Sequence, residues 1–561
     1  MITKQPLTPF WLVGWAAALS LTWLLPNHYL PWTSFHADAW IAIVLSTAAI
    51  AVILRSSAPI SWYSLPIIAA ALVFVPLTQY YFGLVMLSGT AWIATAFLIG
   101  FLLSVLTGGH WEAASPSQLA DGLFLAIGFA ALVSVGLQLN QWMQWEALQA
   151  WSVGSSGSRP AANLSQPNQL ATLLLWGLLA AAWGLIRKRI GPWTALLMAI
   201  YLLFGLALTG SRSAWIAVVI LTGAGVTWRS LWPDKRWPWF VAALGLYFVA
   251  AVVSVGWLGQ VLLLPSADSL NNIIRLSSDI RPLAWSIFVD AALQRPLFGY
   301  GWNQVVLAQF AAALNHPSLH IVFSHSHNLF LDLVLWCGIP IGLLVSVFLA
   351  WWVIRRVLLV RRPEEAVLML FLLVVGNHAL WEFPLHYAYF LLPTGLIMGV
   401  LDQRLAIRPA FVTGRWAISA ICLVAVVLLS LIIRDYSRVE PSYRAQRFEW
   451  AHIKTEPVLP PEVMLLTQWR EVIRANKFEP TPDMTTKDLD WMRSVIISSA
   501  STGAFYKLAG ALAMQNRPEE AGLWLMRMCT VIPEAQCTAV AVAWAERAKH
   551  DAQFAAVRWP R

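Results

Sequence analysis

About thirteen apolar stretches, each close to the length that crosses a bilayer core, follow one another between residues 10 and 433. They fall near 10–25, 39–54, 61–78, 84–106, 119–139, 167–186, 192–208, 213–228, 239–258, 327–353, 365–380, 386–401 and 416–433. A hydrocarbon core takes about 20 helical residues. With no water inside it, every backbone polar group must be satisfied internally. The pattern therefore predicts an all-α, polytopic membrane protein. Only 12% of the residues are charged, against roughly 25% in soluble domains. The first stretch has no small-residue cleavage signature before Pro26, so it reads as an anchor and not a removed signal peptide.

The lysines and arginines give a direction. With the N-terminus inside, the inner connections carry 15 of them, Lys4 included. The short outer connections carry two, Arg159 and Arg212. Positive charge favours the cytoplasmic side. The net charge of +9 and the 33 tryptophans thus follow from topology and interfacial anchoring, and no nucleic-acid partner is implied. Four segments result: transmembrane helices over 1–258, a large outer loop over 259–326, more transmembrane helices over 327–433, and an outer soluble domain over 434–561. Within the last, 503–515 and 518–531 carry apolar residues at helical spacing, with Pro518 at a helix start. The pair looks like one tetratricopeptide-type hairpin. Cys529 and Cys537 flank Pro533 and are either a disulfide or two thiols. Cys337 and Cys422 lie in apolar runs and read as buried hydrophobes.

On the outer side, polar residues gather at four places. The longest is 275–332, an interruption that holds Arg275, Arg281, Trp285, Pro296, Gly299, Gly301 and the run His325-Ser326-His327-Asn328. The others are Asn163 to Gln169, Thr209 to Ser213, and Asn377 to Tyr389. Arg212 suits a diphosphate-type ligand, because a guanidinium makes planar, charge-assisted hydrogen bonds; the plainer reading is an interfacial ion pair. Arg281 sits in an expected surface helix over 279–293 and shares a face with Trp285 and Phe288. It is either a second anion ligand or a contact to lipid phosphate, and Arg275 is a further cation.

Pro296, Gly299 and Gly301 read as a turn. A His-x-His pair can bind metal, but catalytic zinc takes three protein ligands and no HExxH or acidic cluster accompanies it, so His325 and His327 read as general-base candidates without metal. Gln166, Asn168 and Gln169 either cap their span or grip sugar hydroxyls. Glu382 could pair with Arg212 or Arg281, or orient a histidine. Tyr387 and Tyr389 fit an interfacial belt.

Three of these features together resemble the O-antigen ligase and polymerase superfamily of bacterial inner-membrane glycosyltransferases: Ser211-Arg212 after a span, the run from Arg281 and Trp285 to Gly301, and His327-Asn328-x-Phe330-Leu331. Gln166-Pro167-Asn168-Gln169 and Trp381 to Pro393, with a helical tail, are similar to the PglL-type protein O-oligosaccharyltransferases. The resemblance spans roughly 160–440. It implies transfer of a preassembled glycan from undecaprenyl diphosphate to a Ser or Thr of a periplasmic or pilin-type protein, with no cofactor.

Carried over by motif, Arg212 and Arg281 hold the diphosphate and His327 is the catalytic histidine, with His325 less certain. Gln166, Asn168, Gln169, Arg275, Trp285, Glu382 and Tyr387 complete the expected substrate contacts. The alternatives are an O-antigen ligase acting on lipid A-core, an O-antigen polymerase, a lipid-linked glycan flippase, and a scaffold that docks through its tail. A transporter keeps ionisable residues at mid-membrane, whereas here the polar residues gather on one face.

Overall fold

The computed structural model describes residues 9–559 except 57, 146, 147, 149, 155–158, 233, 265–279, 406 and 454–458. The fold is helical. The first helices are α1 (Pro9–Ser20), α2 (Phe35–Arg55), α3 (Ser64–Val73), α4 (Val75–Tyr81) and α5 (Ser88–Ala114). Then come α6 (Gln118–Trp142), α7 (Pro167–Ile186), α8 (Pro192–Leu208), α9 (Arg212–Thr227), α10 (Trp237–Val261) and α11 (Arg281–Gln294). They continue with α12 (Val305–Ala312), α13 (Leu329–Leu359), α14 (Pro363–Ala379), α15 (Ala388–Arg404) and α16 (Arg415–Trp450). The tail holds α17 (Thr467–Lys477), α18 (Thr486–Ser498), α19 (Thr502–Met514), α20 (Pro518–Val531), α21 (Glu534–Ala548) and α22 (Ala552–Ala555). Among the described residues the strands form one antiparallel ribbon, β1 (Ile60–Trp62) with β2 (Phe411–Thr413), Ile60 opposite Thr413. The apolar stretches of the sequence are largely helical, that at 61–78 being divided among β1, α3 and α4, and among the described residues 8 helical stretches are long and apolar enough to cross a membrane.

The chain forms two compact units. The first comprises Met1–Ala71, Phe97–Ser278 and Ala350–Leu429. Here α6 packs on α1 and α7, and α7 packs on α8 and α14. Lipid tails are as apolar as leucine, so close packing and buried hydrogen bonds, not water exclusion, hold such helices together. A Cβ on Gly108 would strike the Leu396 carbonyl, and one on Gly399 the Val105 carbonyl, so α5 and α15 meet backbone to backbone. Trp176 stacks on Phe371 at 3.9 Å and donates its indole N–H to the Phe371 carbonyl at 3.0 Å, tying α7 to α14. Near the C-terminal ends of α13 and α15, Arg356 is paired with Asp402 at 2.7 Å and Arg404 with Glu112 at 2.7 Å.

The second unit comprises Leu72–Ala96, Asp279–Leu349 and Ser430–Arg561. The tail helices bury Phe505, Leu508, Leu512, Leu525 and Met528 completely. Apolar burial of this kind contributes roughly 25 cal/mol per Å². The expected helix pair is present as α19 and α20, and Cys529 and Cys537 form a disulfide with Cα atoms 5.3 Å apart.

The segment expected as an outer loop is not uniformly polar. Its segment Val305–Ala312 is apolar enough to fold as α12, and Val306 and Phe310 join the core of the tail domain. Phe310 meets the rings of Phe505 and Trp524 edge-on or nearly so, at 5.6 and 6.3 Å.

Candidate active site

Two polar clusters carry the residues singled out in the sequence, one in each unit. In the first unit, Gln166 is the N-cap of α7: its side-chain oxygen accepts the Gln169 N–H at 2.7 Å, and Pro167 fills the first helical position. Gln169 is buried and its side-chain oxygen accepts the Tyr389 hydroxyl at 2.8 Å. Asn168 is the hub of this cluster. Its carbonyl oxygen accepts Ser211 Oγ at 2.8 Å and Arg159 Nη2 at 3.5 Å, while its amide donates to Glu382 Oε1 at 3.0 Å.

Glu382 is buried and accepts from Asn168, a contact that sequence spacing did not single out. Arg159 also donates to the Thr209 carbonyl at 2.8 Å, and Asn377 to the Ser213 carbonyl at 3.0 Å. The turn before α9 is thereby fixed at both edges, and Arg212, the first residue of α9, stands exposed. Tyr387 precedes α15, its ring stacked on Phe383 and tilted against Tyr389. Deeper down, Asn163 donates to the Leu24 and Trp151 carbonyls and accepts from the Val153 N–H. His28 Nε2 meets the Asn163 carbonyl at 2.6 Å, and burial pushes that imidazole below its ordinary range, so it donates as a neutral ring.

In the second unit, Arg281 opens α11 and Trp285 lies one turn on, its indole donating to the Ser326 carbonyl at 2.8 Å. That bond fixes the Arg281 helix to the residue between the two histidines. Ser326 N–H donates to Asp332 Oδ1 at 2.8 Å, both residues being 1% exposed. Asn328 caps α13 by accepting the Phe330 and Leu331 N–H groups at 3.1 and 3.2 Å. Between these anchors His327 takes φ +60°, a left-handed conformation uncommon outside glycine. Such strain persists where the surroundings over-determine it, and functional sites are where it gathers.

The ring of His327 meets Phe323 edge-on at 5.6 Å, and Phe323 meets Phe288 of α11 at 5.9 Å. His325 is half-buried just before. Arg275 lies outside the described residues.

The turn at Pro296, Gly299 and Gly301 braces α13 as well as redirecting the loop. Tyr300 N–H donates to the Leu335 carbonyl at 2.7 Å and Ile339 N–H to the Pro296 carbonyl at 2.7 Å. Gly299, at φ +67°, faces Gly338, where α13 is broken at φ +81°. A Cβ on Gly338 would strike the Leu297 carbonyl, and one on Gly299 would lie 2.7 Å from the Gly338 nitrogen. The loop is also clamped from behind. Gln309 of α12, fully buried, donates to the Ile321 carbonyl at 2.8 Å and accepts the Phe323 N–H at 2.9 Å. His320 donates its backbone N–H to the Thr530 carbonyl at 2.9 Å, within the span closed by the disulfide. The tail domain therefore holds the segment that leads into the histidines.

Three family models match this chain in order. A protein glycosylation ligase model matches residues 160–183, an O-antigen ligase model residues 197–346, and the C-terminal model of a virulence factor membrane-bound polymerase residues 366–546. A general O-oligosaccharyltransferase of Acinetobacter baylyi is 28% identical over 528 residues, covering 90% of this chain and 89% of the relative. The chain is thus similar to the O-antigen ligase family over 197–346 and, along most of its length, to this O-oligosaccharyltransferase. A second Acinetobacter baylyi relative, a ComP-specific O-oligosaccharyltransferase, is 26% identical over 335 residues, 59% of this chain and 60% of the relative.

Both relatives are named O-oligosaccharyltransferases, and the 8 long apolar helical stretches among this chain's described residues are consistent with a multi-pass membrane protein. The O-antigen ligase match takes in Arg212, Arg281 and His327, and the glycosylation ligase match takes in Gln166 to Gln169. Sequence reading passed over Arg159, Asp332 and Gln309. Arg159 counted only as a loop charge, and Asp332 only as part of a span. Gln309 lay inside a run taken for loop. Asp38 was also missed: its carboxylate, buried at the start of α2, accepts the Ala388 N–H at 2.7 Å and Ser34 Oγ at 2.6 Å, fixing the segment before α15.

Proposed function

We propose that this protein is an O-oligosaccharyltransferase that moves a preassembled glycan from undecaprenyl diphosphate to a Ser or Thr of a periplasmic or pilin-type protein. In this reading it spans the bacterial inner membrane about thirteen times, with both polar clusters and the tail domain facing the periplasm. The observation that carries the proposal is the bond from Trp285 to Ser326, 2.8 Å long, which ties the Arg281 helix to the strained His327 turn.

An imidazole takes the acceptor hydroxyl proton as the oxygen attacks the anomeric carbon. The bond from that carbon to the diphosphate breaks, and the lipid diphosphate leaves with its pair of electrons. Developing charge on a leaving diphosphate is stabilised by guanidinium groups, the role assigned to Arg281 and Arg212. Asn168, Gln166, Gln169, Glu382 and Tyr387 are assigned to the glycan or to positioning; Arg275 is a further candidate cation. The scheme routes no step through a metal.

The name of the Acinetobacter relative, with 90% of this chain covered, supports the protein-acceptor branch. The O-antigen ligase match over 197–346 favours a second reading, with lipid A-core as acceptor. Reconstituted enzyme given lipid-linked oligosaccharide, pilin-type protein and lipid A-core in competition decides between them. Glycan on the protein is the expected result; glycan on lipid alone overturns the branch assignment.

A further inference from the structure

We propose that a cleft at the ends of α7 to α10 opposite the Asn168 cluster holds an anionic phospholipid. The cavity measures about 790 Å³ and is lined within the first unit by α7, α8, α9 and α10, with the start of α14. That volume lies in the range of ~300–1,000 Å³ typical of ligand sites. Its walls are aliphatic, with Leu178, Ala182, Ala199 and Leu221 among them. Four tryptophans, Trp193, Trp228, Trp232 and Trp237, line it where α7 and α9 end and α8 and α10 begin. Tryptophan at such a level marks a membrane–water interface.

The same end supplies the charge. Lys188, Asp234 and Arg236 line the cavity. Asp234 accepts the Arg236 backbone N–H at 2.8 Å, and neither Lys188 nor Arg236 makes an ion pair among the described residues. Their neighbours are engaged: Arg187 and Arg189 both reach Asp121, at 3.3 and 3.4 Å. A second polar group points the same way. Trp232 Nε1 is buried and has no acceptor among the described residues. An acyl chain in the apolar wall, with an ester or phosphate oxygen beside Trp232, Lys188 and Arg236, satisfies all three features at once.

The occupant is not the glycan donor engaged in transfer. Helix α7 starts at the Gln166 cap and ends 20 residues later at the cleft. At 1.5 Å per residue that is about 30 Å, the thickness of the hydrocarbon core. The inference does not rest on the catalytic reading, and transfer activity is not its readout.

Native mass spectrometry of the full chain in mild detergent, with equal phosphatidylglycerol and phosphatidylcholine added, tests it. Each basic side chain near an anionic surface contributes enough for a several-fold preference, so wild type should retain phosphatidylglycerol at least about tenfold over phosphatidylcholine. Lys188→Glu with Arg236→Glu, both exposed positions, should remove that preference. Ala182→Phe, filling the wall, should reduce retention of both lipids. Equal retention of the two lipids by wild type overturns the proposal, as does a preference unchanged in the double variant. Retention of added undecaprenyl phosphate in place of phosphatidylglycerol also overturns it. The wild-type comparison stands even where a variant fails to fold.

Discussion

Replacing Asp332 by alanine isolates what holds the His327 turn. Asp332 Oδ1 accepts the buried Ser326 N–H at 2.8 Å, and the residue that follows Ser326 is in the left-handed region. Removing the acceptor strands a buried donor, at a cost of about 1–3 kcal/mol. The left-handed backbone of His327 already costs roughly 1–2 kcal/mol, so the turn has little reserve. Taking about 2 kcal/mol as the loss, and 1.4 kcal/mol per tenfold, turnover should fall about 30-fold. Asp332→Asn keeps an acceptor oxygen in the same place and should stay within about threefold of wild type. The assay is the initial rate of glycan transfer by purified enzyme at saturating donor, with insertion and melting temperature followed in parallel. An alanine variant within about threefold of wild type would refute the reasoning. So would an asparagine variant as impaired as the alanine one, because then the carboxylate's charge and not its acceptor geometry is what matters.

Three further outcomes follow from the same contacts. Gly299→Ala drives a Cβ into the Leu335 carbonyl and the Gly338 nitrogen at a positive φ, and should lower the melting temperature by several degrees. Gly503→Ala, which meets nothing within 4 Å, should leave it unchanged. Phe310→Ala removes a ring wedged between Phe505 and Trp524. At ~3–5 kcal/mol for such a truncation, limited proteolysis should cut 313–325 while tail helicity by circular dichroism persists. Asn168→Leu breaks the contacts to Ser211, Arg159 and Glu382 together and should lower the transfer rate at least about tenfold; a rate within twofold would remove the Asn168 hub from the account.

The membrane helices were legible because a bilayer admits little else: apolar length located most of them, and in the tail Pro518 marked a start that the structure shows. Gln166 illustrates a signal with two meanings. Its capping role followed from position, whereas a contact to glycan rests on motif likeness alone. What stayed hidden was partnership across long sequence separations. Nothing near Asn168 announces Glu382, 214 residues away, and nothing near Trp285 announces Ser326. The apolar run at 305–312 was visible but too short for a span, so it was absorbed into the loop. Its burial depends on tail helices more than 170 residues downstream. Asp38 and Asp332 were lost for a related reason. An acidic residue in the first turn of an apolar helix reads as a favourable charge near the helix N-terminus, and only three dimensions show the backbone N–H it serves.

The central claim is that the turn at His327 carries the base of a glycan transfer. Asparagine tolerates the left-handed region better than most residues, so His327→Asn preserves the turn while removing the imidazole. The deciding measurement is its turnover with lipid-linked oligosaccharide and pilin-type acceptor, beside its melting temperature. The account predicts a rate at least about 100-fold below wild type, the low end for loss of a general base, with the melting temperature unchanged. Turnover within about threefold of wild type would contradict it.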